Sequence, residues 1–126
     1  VYKRQEYEKA KALLDAHSFH PWEGGEGKVP AQYQLARVEL AKQALTAGNN
    51  QEAIALLEEC LEYPHHLGEG KLYGAQENDF YYFLGCAYEN LNRKDEAVRY
   101  TGIIFGHCIF YLCIIYLLIR IYSTLE

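Results

Sequence analysis

Between His17 and Lys28, twelve residues hold six side chains able to do chemistry: His17, His20, Trp22, Glu23, Glu26 and Lys28. An indole that can stack on a sugar ring beside two carboxylates is the raw material of a carbohydrate site, and glycoside hydrolysis needs paired acids about 5–9 Å apart. A second copy of the loop argues for a plainer role. Gly25-Glu26-Gly27-Lys28 returns 43 residues later as Gly68-Glu69-Gly70-Lys71, with Pro64-His65 where the first copy has Pro21-Trp22. What both copies keep predicts a structural need, because glycines permit positive φ and close backbone packing. Glu-x-Lys units on neighbouring loops are expected to pair from one hairpin to the next, each exposed pair contributing about 0–1 kcal/mol. Trp22, Glu23, Glu26, Lys28, Glu69 and Lys71 are therefore candidate contacts to a ligand or partner, and no residue is assigned to catalysis.

Other chemistries fit poorly. His65 and His66 are adjacent and point apart, whereas a metal site needs three or four converging donors. The Gly-Glu-Gly-Lys strings lack the leading glycine and trailing hydroxyl of a phosphate-cradling loop. No metal and no cofactor are expected. The chain carries 12 Lys and Arg against 17 Asp and Glu, without a basic tract, so a phosphate-tracking nucleic-acid surface is not expected. Cys60 and Cys86 fall on periodic helix faces and Cys108 and Cys113 in an apolar tail, with no zinc spacing, which predicts reduced thiols in a core.

Helices must carry the loops. Tyr7, Ala10, Leu14 and His17 follow helical period from about residue 3 to 17, which puts His17 on an inward face. Two prolines and three glycines then predict a shaped loop from 18 to 30. A second helix is expected over 31–47 with Leu40, Ala41, Ala44 and Leu45 inward, ended by Gly48 in a left-handed conformation. Asn50 is expected to cap a third helix, 51–63, which buries Ala53, Leu56, Leu57, Cys60 and Leu61 and stops before Pro64. The short link forces these two helices antiparallel. A second long loop, 64–75, leads to a fourth helix over 76–91 with Phe80, Leu84, Ala87, Tyr88 and Leu91 inward. Tyr81 and Tyr82 are the exposed remainder of its aromatic run and candidate partner contacts. Asn92 takes the place of Gly48, and a fifth helix starts near Arg93.

Leu40-Ala41 answers Leu84-Gly85, and Gln51-Glu52-Ala53-Ile54 answers Asp95-Glu96-Ala97-Val98, both 44 residues apart. The pattern Leu84-Gly85-x-Ala87-Tyr88, Leu91-Asn92, Glu96-Ala97 resembles the tetratricopeptide repeat. The strings from Phe19 to Lys28 and from Leu67 to Asp79 resemble the repeat region of large bacterial proteins in which a domain of unknown function, of carbohydrate-type β-sandwich kind, precedes such units. The resemblance covers about residues 3–100. It implies an all-α fold of antiparallel helical hairpins stacked as a short α-solenoid, in which each unit buries its face only against a neighbour. It also implies a scaffold that packs against an upstream domain of its parent protein or against another protein. Under the alternative, the Trp22–Lys28 loop lines a carbohydrate site in a larger enzyme.

Residues 1–100 contain one isoleucine and residues 101–126 contain seven, so two segments are expected. The first is the repeat segment; the second is a hydrophobic tail. From Gly102 to Ile119 no residue is charged, the length of a membrane-spanning helix. A genuine anchor there would make the chain a tail-anchored membrane protein. Because the repeat register breaks at Tyr100, the preferred expectation is a frameshifted or chimeric tail. The start at Val1 and the absence of methionine read as a piece of a longer protein, for which a cytoplasmic location is favoured.

Overall fold

The computed structural model describes residues 2–106, with side chains from Arg4 onward. Every regular element among them is helical: α1 (Tyr2–Ala16), α2 (Lys28–Thr46), α3 (Asn50–Leu61), a single 3₁₀ turn (His65–Leu67), α4 (Asn78–Asn90) and α5 across 94–106. The expected all-α class holds for them. The hydrophobic tail lies outside the described residues beyond 106, and with it most of the 102–119 span and both Cys108 and Cys113. Among the described residues no helix is long and apolar enough to cross a membrane.

The helices pack in series. Gln34 of α2 donates to the carbonyl of Cys60 and Arg37 pairs with Glu59, so α2 and α3 run antiparallel. Glu58 accepts from the Tyr88 hydroxyl and Asn50 meets Asn90, which reverses direction again between α3 and α4. Arg4 pairs with Glu52 and Lys11 with Glu59, a constant offset that sets α1 parallel to α3. The main core joins α2, α3 and α4 with Ala97 of α5, and includes Leu40, Ala41, Ala44, Leu57, Cys60, Leu84 and Ala87. A smaller cluster of Leu14, Tyr33 and Leu67 lies beneath the loops.

Small residues set the helix spacing. A Cβ on Gly85 would stand 3.1 Å from Thr101 Cγ2, so α4 and α5 approach closely at that glycine. Tyr100 stacks on Tyr88 at 5.5 Å between ring centroids, and α5 continues unbroken past it to the edge of the described residues. The turns after α2 and α4 are the same motif. Gly48 (φ 82°) and Asn92 (φ 62°) are both left-handed. The Asn49 amide bonds the Ala44 carbonyl at 2.8 Å, and the Arg93 amide bonds that of Tyr88 at 2.9 Å. Gly48 and Asn92 donate to Leu45 and Glu89, completing the double-bonded helix stop at both sites.

Several local expectations need correction. The second helix starts at Lys28 rather than residue 31, because the first turn has no intrahelical use for the N–H that Pro30 lacks. Asn49 rather than Asn50 flanks α3, and Asn50 bonds back to the Gly48 carbonyl. His17 is exposed, not inward: α1 ends at Ala16, and the ring turns back to the Leu13 carbonyl at 2.9 Å.

Candidate functional site

The two long loops meet along one edge of the helix stack. Phe19 donates its amide to the His66 carbonyl at 2.7 Å. Gly68, left-handed at φ 77°, lies so close that a Cβ would stand 2.5 Å from the Phe19 carbonyl oxygen. Glu69 accepts the amide of Gly27, the residue that precedes α2. A carboxylate there answers an otherwise unpaired donor and sits at the positive end of the helix dipole. The expected Glu–Lys pairing between the loops does not form: Glu69 takes the Gly27 backbone amide rather than Lys28, and Lys71 pairs with Glu77 at 2.7 Å.

Identical letters adopt different shapes in the two copies. In the first, Gly27 is left-handed and Lys28 begins α2; in the second, Gly68 is left-handed, Gly70 is not, and α4 waits until Asn78. The residues immediately downstream cause the difference. Val29, Pro30 and Ala31 enter the helix at once, whereas Leu72-Tyr73-Gly74 makes another turn, with Gly74 at φ 82°.

Within the first loop, Trp22 remains 62% exposed and lies against Gly25, where a Cβ would fall 0.9 Å from the indole nitrogen. The ammonium of Lys28 lies 6.0 Å from the Trp22 ring centroid. Glu26 turns inward on its own loop and accepts the Gly24 amide at 3.1 Å. Backbone amides of Glu26 itself and of Gly24 hold its carboxyl below the usual range. That is the wrong direction for a general acid, which must keep its proton near neutral pH. Glu23 is exposed.

The most organised polar cluster centres on Glu77, which is 7% exposed. Its carboxylate accepts from Lys71 Nζ at 2.7 Å, the Tyr81 hydroxyl at 3.1 Å and the Tyr63 hydroxyl at 3.2 Å. Gln34 donates in turn to the Tyr63 oxygen at 3.1 Å. Burial, reinforced by Glu77, pushes the Tyr81 phenol up; Tyr63 also rises through burial. The Glu77 carboxylate raises Lys71 as well. All three therefore stay protonated donors at neutral pH, suited to clamping a carboxylate rather than to shuttling a proton. Beside the cluster a cleft of about 280 Å³ opens between Pro30, Ala31 and Gln34 on one side and Leu72 to Gln76 on the other.

No family model and no solved structure matches this chain. Geometry alone therefore groups the candidate residues. Lys71 and Tyr81 come together at Glu77, Glu69 reaches the start of α2, and Trp22, Glu26 and Lys28 share the first loop. Tyr82 stands apart, 55% exposed, with its ring edge-on to Phe83. Tyr81 is not part of an exposed remainder: it is half-buried, tied to Glu77 and stacked on Tyr100. Among the described residues no group of three His, Cys, Asp or Glu converges as a metal site.

Two residues missed in the sequence organise the interior. Glu77 lies 44 positions after Tyr33, which is itself buried, so the repeat register held the signal. Arg37, 2% exposed, spreads its guanidinium 3.4 Å from the Tyr33 ring centroid, pairs with Glu59 at 2.7 Å and also bonds Asp15. Its place four residues after Tyr33 on the inward stripe was the available clue.

Proposed function

We propose that this chain is a non-catalytic helical-repeat scaffold of tetratricopeptide type, a short α-solenoid that packs against another domain of its parent protein or against a separate protein. The observation that carries this reading is the recurrence, 44 residues apart, of the same helix stop at Gly48 and Asn92, each succeeded by a helix that lies on its predecessor. Units that bury a face only against a neighbour offer their ends and edges to other proteins. The polar residues support the same role, since Glu77, Glu69 and Arg37 are spent on holding loops and helices together.

A second reading draws on the exposed indole: a larger carbohydrate-active enzyme whose sugar site is partly lined by the Trp22–Lys28 loop. Trp22 is the sole tryptophan, so its fluorescence reports on that loop alone. Titration of the chain with neutral and acidic oligosaccharides is expected to leave the emission unchanged. A saturable shift abolished by Trp22→Ala would move the function to the sugar reading.

A further inference from the structure

The seat that α4 occupies on the preceding hairpin has identifiable parts. Lys42 of α2 stands 5.5 Å over the Phe83 ring, while on α3 Asn50 accepts from Asn90 at 3.0 Å and Glu58 from the Tyr88 hydroxyl at 3.3 Å. Positions 38 and 42 on α2, and 50, 54 and 58 on α3, share these faces by helical spacing. Val38 and Ile54 are accordingly buried, at 7% and 6% exposure.

A shift of 44 residues converts Val38, Lys42, Asn50 and Ile54 into Tyr82, Cys86, Lys94 and Val98. Those four line one groove of about 420 Å³ between α4 and α5. Here the same seat is open: Val98 is 68% exposed against 6% for Ile54, and Tyr82 is 55% exposed against 7% for Val38. Phe105, the counterpart of Leu61, is exposed as well.

We propose that this groove docks an amphipathic α-helix from a partner protein, in the pose α4 takes on α2 and α3; the inference rests on the scaffold reading and names the surface and its ligand. The seat's altered residues define the helix. Because α5 runs unbroken past Tyr100, Gly102 stands on it where Glu58 stands on α3, so the hydroxyl acceptor is gone and the residue matching Tyr88 is apolar. Lys94 replaces Asn50, so the residue matching Asn90 is an aspartate or glutamate. The α4 helix of a second copy is not free to supply it, because Phe80, Leu84, Ala87 and Tyr88 are already buried within its own chain.

The test uses the full chain and a fluorescein-labelled peptide spanning residues 76–92 with Tyr88→Phe and Asn90→Asp. Fluorescence anisotropy is expected to show saturable binding, and bound peptide is expected to protect Cys86 from alkylation in peptide mapping. Val98→Asp would put an unpaired carboxylate in the contact and weaken binding at least about tenfold. Tyr82→Ala, at a second exposed position, is expected to weaken it too, and circular dichroism checks that both variants remain helical. Absence of saturation up to about 1 mM peptide, the weakest affinity worth assigning, overturns the proposal. So does binding that ignores both substitutions, or a dimer of the chain that Val98→Asp dissolves. A sugar response at Trp22 with peptide binding intact would instead remove the scaffold reading alone.

Discussion

Gly68→Ala and Gly70→Ala alter the two glycines of one Gly-Glu-Gly-Lys string, yet the structure assigns them opposite outcomes. Gly68 is left-handed, a conformation that costs an L-residue about 1–2 kcal/mol. An added Cβ would also stand 2.5 Å from the Phe19 oxygen and 3.0 Å from its carbonyl carbon, atoms of backbone that cannot rotate aside. Relief requires the two loops to separate and loosens the Phe19–His66 hydrogen bond, worth about 0.5–1.5 kcal/mol. Gly68→Ala should therefore destabilise the chain by about 1.5–3.5 kcal/mol, adding the strain and contact terms. Gly74→Ala isolates the first term: Gly74 is left-handed at φ 82° with no atom within 4 Å of a Cβ, so about 1–2 kcal/mol is expected. Gly70 has neither handicap, and its replacement should be neutral or stabilise by up to about 1 kcal/mol through the unfolded state. Urea unfolding monitored by circular dichroism at 222 nm, with slopes compared among variants, measures all three. Equal losses for Gly68→Ala and Gly74→Ala would refute the contact between the loops. A Gly70→Ala loss matching Gly68→Ala would show that the repeated letters, not their backbone shapes, set the requirement.

Two further predictions concern titrating groups. Burial pushes the Cys60 thiol up to about 12, so alkylation at pH 8 should modify Cys60 only after unfolding, while half-buried Cys86 reacts in the folded chain. Mass-spectrometric mapping with and without urea reads both; rapid labelling of native Cys60 would contradict the packing of α2 on α3. Asp15 is pushed up by burial, but Lys11 and Arg37 overcome that and leave its carboxyl below the usual range. A lowered folded pKa gives stability that is present above the unfolded value near 4 and is lost as pH falls through the folded one. The wild type should hence be more stable than Asp15→Asn at pH 7, and that gap should close below about pH 4. A gap independent of pH, in urea titrations at several pH values, would rule out the ion pairs with Lys11 and Arg37 as its source.

Helical period alone located the inward stripes, since a residue's neighbours along one helix face are set by local geometry. Leu40, Leu57 and Leu84 lie in the core as that period requires, whereas His17 does not, because α1 ends at Ala16 before reaching it. The left-handed stops at Gly48 and Asn92 were equally legible, because few residues tolerate positive φ and both come just after a finished apolar stripe. The loops were not legible in the same way. Gly25-Glu26-Gly27-Lys28 and Gly68-Glu69-Gly70-Lys71 read alike, but a loop's shape depends on the surface against which it lies, and the flanking residues send one straight into α2 and the other around a further turn. Burial of the charges was decided at the same level. Arg37 needed Asp15 and Glu59 brought together from helices α1 and α3, and Glu77 needed Tyr63, Lys71 and Tyr81 from three segments. A charge leaves water only where several partners converge, and that convergence exists only once the helices have packed.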